Sequence, residues 1–151
     1  MAMYRIVFVC HGNICRSPAA EFIAKEEIRK RGLEGKVEVS SRAVSHEEIG
    51  NDIYPPMKSA LRHAEIPFDV HRAAFLTTQE AFEANVVYYM DEGNLIRLRR
   101  FFGDHPKRFR PIMEYNPEFL EIEDPWYSGR FDLVVAQLKK CIGSIFDNLP
   151  I

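Results

Sequence analysis

Apolar residues along the chain fall into short unbroken runs separated by longer stretches with helical spacing. Ile6-Val7-Phe8-Val9 has no polar face, the pattern of a strand buried on both sides. It stops abruptly at Cys10-His11-Gly12-Asn13. Beyond that loop Ala20, Ile23, Ala24, Glu27 and Ile28 share one helical stripe, with Lys25, Glu26, Arg29 and Lys30 outside it. Gly32 is placed to cap this helix. Lys36 to Ser41 predicts a second strand, and Tyr54-Pro55-Pro56 opens a helix through Met57, Ala60 and Leu61. Thr77 to Ala84 predicts a helix with Phe82 on its buried side, and Asn85 to Met90 a third strand. Asp91-Glu92-Gly93-Asn94 starts a helix whose acidic beginning and basic end, at Arg97, Arg99 and Arg100, both complement its dipole. Phe109 to Tyr115 is the fourth strand candidate. A loop holding Asn116, Pro117, Asp124, Pro125 and Gly129 leads to a last helix from Phe131 to about Phe146. This alternation predicts an α/β fold, a parallel sheet with helices on both faces.

Composition adds bounds rather than chemistry. The 151 residues fit one domain spanning the chain, and 46% hydrophobic with 28% charged residues is the balance of a soluble globular protein. A formal net charge of -2 gives no overall pull toward nucleic acid or a membrane. Met1-Ala2-Met3-Tyr4-Arg5 lacks the apolar core of a signal peptide, and no apolar run reaches spanning length, so a cytoplasmic location is the default. Cys10, Cys15 and Cys141 are too few for a disulfide framework and lack metal-ligand spacing, which predicts a reducing compartment and no bound metal. The cluster Arg97, Arg99, Arg100, Lys107, Arg108 and Arg110 reads as a solvated helix end and loop rather than a nucleic-acid patch.

The chemistry concentrates after the first strand. In Cys10-His11-Gly12-Asn13-Ile14-Cys15-Arg16-Ser17-Pro18, Ser17 suits a helix N-cap and Pro18 the first helical position, so loop amides and the positive helix end form an anion cradle. Cys10 supplies a nucleophile, and Arg16, six positions later, a planar fork for two phosphate oxygens. Gly12 permits a positive φ or a close approach, and Asn13 tolerates the left-handed region. Asp124, held extended by Pro125, is the candidate general acid for a leaving group, with Trp126 and Tyr127 beside it as walls for a phenyl ring.

The run Val9 to Pro18, followed by Glu21, resembles the signature of the low-molecular-weight protein tyrosine phosphatases. The resemblance implies a four-stranded Rossmann-like or flavodoxin-like sheet and a phosphocysteine mechanism that uses Cys10, Arg16 and Asp124 and no cofactor. It assigns His11, Gly12, Asn13, Ile14, Cys15 and Ser17 to the substrate cradle, with phosphate- or sulfate-type anions as ligands and tyrosine-phosphorylated proteins or peptides as partners. It also implies that Ser41 and His71 bond Asn13 to hold the loop, that Ser17 bonds the nucleophile, and that Cys15 reacts with oxidised Cys10 to form a protective disulfide. The chain departs from the family at Arg42, where glycine is common, at Ala74, where arginine is common, and near Glu47, where an aromatic wall is frequent. Arg42 is therefore expected to favour acidic phosphopeptides. Three alternatives share the loop: a protein-arginine phosphatase, in which threonine replaces Ile14; a thioredoxin-coupled arsenate reductase, which needs further cysteines; and a non-catalytic phosphate-binding module.

Overall fold

The Ile6-Val7-Phe8-Val9 run lies in β1 (Tyr4–Cys10), an inner strand with partners on both edges. The computed structural model describes residues 3–151; Met1 and Ala2, part of the N-terminal stretch weighed above, lie outside the described residues. The chain continues through α1 (Arg16–Arg31), β2 (Val37–Ala43), α2 (Pro55–His63), α3 (Thr78–Glu83), β3 (Val86–Tyr89), α4 (Glu92–Phe102), β4 (Phe109–Pro111), α5 (Pro125–Ser128) and α6 (Phe131–Asp147). The strands form one parallel sheet in the order β2-β1-β3-β4.

Side-chain alternation along β1 divides the interior into two cores, as a sheet covered on both faces requires. Ile6, Phe8 and Cys10 join residues of α1, α2 and α6, whereas Val7 and Val9 join Ala81 of α3 and Leu95 and Leu98 of α4. From β1 the chain crosses to β2 on one side and later returns to β3 on the other, so the β1 carboxyl end sits where the winding reverses. Ligands of open α/β sheets bind in that crevice.

Several expected boundaries shift for physical reasons. Helix α1 starts earlier than the Ser-Pro pair predicts: Cys15 is its N-cap residue, so Ser17 and Pro18 occupy the second and third helical positions. The Ser17 hydroxyl is engaged with Cys10 and Asn13 instead of capping, and Pro18 sacrifices no hydrogen bond because first-turn amides have no helical partner. At the other end Gly32 adopts φ 66° and its neighbour Leu33 donates back to the Ile28 carbonyl at 2.9 Å, a Schellman-type stop. Phe82 is 40% exposed, contrary to its predicted burial. A reciprocal Thr77–Glu80 capping box sets the phase of α3 and turns Ala81 inward, leaving Phe82 at the edge against Phe102 and His105. Strand β4 ends at Pro111 instead of Tyr115, because β3 offers partners only as far as Tyr89; Ile112 and Met113 then turn into the core. Pro125 to Ser128, read as loop, forms one helical turn capped by Asp124. Among the described residues no helix is long and apolar enough to cross a membrane.

Candidate active site

The β1–α1 loop curls around the Cys10 sulfur. Asn13 takes φ 61°, the left-handed conformation, and its side chain is fully buried behind the loop. Its Nδ2 donates to Ser17 Oγ at 2.8 Å and Ser41 Oγ at 3.0 Å, and its Oδ1 accepts from the Ala74 amide at 3.1 Å. The Asn13 carbonyl meets His71 Nε2 at 2.7 Å, and Ser41 passes the network to Glu21 of α1, donating to its carboxylate at 2.7 Å. A left-handed non-glycine residue persists only where its surroundings over-determine it, and these five contacts do so. Gly12 serves a close approach instead of a positive φ: a Cβ there would stand 3.2 Å from Glu48 Cγ, and that side chain would have to give way slightly.

Cys10 Sγ lies 3.0 Å from Ser17 Oγ and accepts from the Ser17 amide at 3.4 Å. Among the described residues none accepts a hydrogen bond from the backbone amides of His11 to Arg16. The residues that carry those donors, Asn13 excepted, line one end of a cavity of about 140 Å³, with Cys10, His11, Gly12, Ile14, Cys15 and Arg16 on the loop side. Free amides at a helix start make an anion site without further help. Asn13 and Ser17, grouped above with the substrate cradle, do not line the cavity; their side chains face inward and support the loop.

Arg16 is 2% exposed, and its NH1 donates to Asp91 Oδ2 at 2.7 Å and to the Ile122 carbonyl at 2.8 Å. Burial works against its charge, but Cys10, Asp91 and Asp124 outweigh that penalty and hold its proton more tightly than usual. NH2 lies 3.6 Å from Asp124 Oδ2, so the arginine and the candidate acid share the cavity. Asp124 is fixed by accepting from the Trp126 amide at 3.0 Å, and Asp91 by capping α4 through Asn94 at 2.8 Å. Trp126 packs on Tyr54 with ring centres 4.6 Å apart, whereas Tyr127 projects into solvent, and both line the opening. The sequence marks Asp91 and Tyr54 only as helix starts, although an aspartate two residues past an inner strand points to the same crevice.

Other candidates lie elsewhere. Arg42 is not at the opening: strand alternation sends it through the far face of β2, where it bridges Glu80 of α3 at 2.7 Å. The expectation that it recognises acidic peptides is corrected accordingly. Cys15 lines the cavity, with burial first and Cys10 second pushing its thiol well above the ordinary range. That keeps it protonated at neutral pH and slow as an attacking thiol. Cys141 is buried in α6, where burial pushes its thiol up to about 12. The basic cluster is largely occupied locally, Arg97 on the Val44 carbonyl, Arg99 on Asp104, Arg108 on the Phe82 and Ala84 carbonyls and Arg110 on Glu114. Among the described residues no group of three or more His, Cys, Asp or Glu side chains is disposed to hold a metal ion.

Comparison with known proteins identifies the family. A model of the "Low molecular weight phosphotyrosine protein phosphatase" family matches residues 5–150. The chain is similar to the low molecular weight protein-tyrosine-phosphatase YfkJ of Bacillus subtilis, 34% identical over 141 residues that cover 91% of this chain and 90% of that protein. It is also 32% identical over 151 residues to the low molecular weight phosphotyrosine protein phosphatase of Sus scrofa, covering 95% and 94% of the two chains. The crystal structure of YfkJ superposes with a TM-score of 0.92 at 30% identity, covering 97% of this chain and 94% of that one. The chain belongs to the low-molecular-weight phosphotyrosine protein phosphatase family, a class of cysteine-dependent hydrolases.

Proposed function

We propose that the cavity hydrolyses phosphotyrosine in proteins and peptides, and small aryl phosphates, through a phosphocysteine intermediate. The observation that carries this reading is the convergence of Cys10 Sγ, the free amides from His11 to Arg16 and the Arg16 guanidinium beneath Asp124. Cys10 Sγ attacks phosphorus as the bond to the phenolic oxygen breaks, and that oxygen takes its proton from Asp124. Water then attacks phosphorus and gives a proton to the Asp124 carboxylate, and the sulfur–phosphorus bond breaks to release phosphate and thiolate. The amides and Arg16 hold the equatorial oxygens in both steps. Ser17 donates to the sulfur, and the Asn13, Ser41 and His71 network keeps the amides converged.

Ile14 and Trp126 give the cavity apolar walls, which suit a phenyl ring better than the polar guanidinium of phosphoarginine. Steady-state kinetics without metal on matched phosphotyrosine, phosphoserine and phosphoarginine peptides test this. The highest kcat/KM is expected for phosphotyrosine; faster turnover of phosphoarginine reverses the reading of Ile14.

Asp124→Asn separates proton transfer from binding, because asparagine keeps the cap on α5 and loses the acid. Its kcat/KM, which reads the first phosphoryl transfer and not the shared hydrolysis of phosphocysteine, is expected to fall by roughly 10²- to 10⁴-fold on phenyl phosphate, where the leaving group needs a proton, and far less on an activated nitrophenyl ester. Equal losses on both esters remove Asp124 from the general-acid role.

A further inference from the structure

The cavity holds one arginine at its floor and carries two glutamates at its rim. Glu47 and Glu48 both line the opening, beside Asp124. The Glu47 side chain is 68% exposed, with its carboxylate 3.0 Å from His11 Nε2. Glu48 packs against Gly12, and its carboxylate accepts from the neutral amide of Asn51 at 2.6 Å. Among the described residues lining the cavity, Arg16 is the one lysine or arginine, and it is buried between Asp91 and Asp124. Arg42 cannot offset the rim, because it is turned to the other face of β2 and tied to Glu80.

A phosphotyrosine whose phosphate reaches the floor leaves its own backbone at the rim. The residues before and after it follow within one Cα step of about 3.8 Å, so their side chains meet the two glutamates. We propose that Glu47 and Glu48 determine specificity, selecting phosphotyrosines flanked by lysine or arginine and rejecting flanking carboxylates. The inference rests on the phosphotyrosine reading above. It uses both halves of discrimination, attraction of one charge and repulsion of the other. An exposed charge pair changes affinity by about 1.5- to 5-fold, and salt screens it over about 10 Å at 0.1 M.

The test compares kcat/KM on three phosphotyrosine peptides identical except for lysine, alanine or glutamate on each side of the tyrosine. Wild type is expected to rank them lysine, alanine, glutamate, with about ten-fold between the extremes at low salt and much less at about 0.5 M. Glu47→Gln should narrow the range, the Glu47→Gln/Glu48→Gln pair should reduce it to about two-fold, and Glu47→Lys should favour the acidic peptide. Each variant is read as a ratio between its own peptides, so a general change in activity cancels. A flat or acidic-preferring wild type, or a ratio unchanged in the variants, overturns the assignment. Failure to hydrolyse the alanine peptide at all overturns the phosphotyrosine reading, and this inference with it.

Discussion

Cys10→Ser is expected to lower turnover of aryl phosphates by four or more orders of magnitude, the scale on which hydrolases respond to loss of a nucleophile. The substitution changes little else. Serine is close in size, it stays within reach of Ser17 Oγ and the Ser17 amide, and the loop is held by Asn13, whose partners do not include the sulfur. What disappears is the sulfur nucleophile, since a serine hydroxyl remains protonated near neutral pH and attacks far more slowly. The amides of His11 to Arg16 and the Arg16 fork still bind phosphate, so affinity for inorganic phosphate should be retained. Calorimetric titration with inorganic phosphate, beside a turnover assay, checks both halves. Persistent turnover removes Cys10 as the nucleophile; loss of phosphate binding with turnover shows that the loop itself collapsed.

The parts of this site that are legible in the sequence are those that local chain geometry sets. Cys10, Gly12, Asn13 and Arg16 fall within one strand–loop–helix turn, so their spacing alone converges them, and Pro125 alone restricts Asp124. Long-range partners carry no such signal. Arg16 and Asp91 are 75 residues apart and meet only because β1 and β3 are neighbours with their carboxyl ends aligned. Arg42 shows the reverse problem. It stands next to Ser41, which does reach the loop, yet period-two alternation sends the two side chains to opposite faces of the sheet, and only the observed span of β2 fixes which goes where. The Ser17-Pro18 pair misleads by local propensity: it has the residue types of a cap, but the sulfur and Asn13 claim the hydroxyl and the helix begins earlier. Phe82 fails similarly, since a six-residue helix has too few turns for periodicity to outweigh the phase set by its capping box.

Arg16→Lys is expected to reduce kcat/KM by at least about a thousand-fold, more than a single lost oxyanion donor, because it removes the fork and its anchoring together. NH1 is already committed to Asp91 and the Ile122 carbonyl, which fixes the guanidinium plane and leaves other N–H groups to face the phosphate. A lysine ammonium is a single point on a flexible stem; it can sit against Asp91 or reach the phosphoryl oxygens, but it cannot do both in a fixed plane. The same geometry makes Asp91 a positioning residue, which Asp91→Asn and Asp91→Ala tell apart from a stabilising one. Asparagine is as good an N-cap, so Asp91→Asn should keep α4 and the melting temperature while lowering kcat about ten-fold through a less firmly oriented Arg16. Asp91→Ala should lose a similar factor in kcat and, in addition, about 1 kcal/mol of stability from the missing cap. The loss should fall on kcat more than on KM, since orientation matters most when charge spreads over the equatorial oxygens. If Asp91→Asn matches wild type in kcat while Arg16→Lys is inactive, Arg16 is oriented by the Ile122 carbonyl and the enclosing walls, and Asp91 serves only to start its helix.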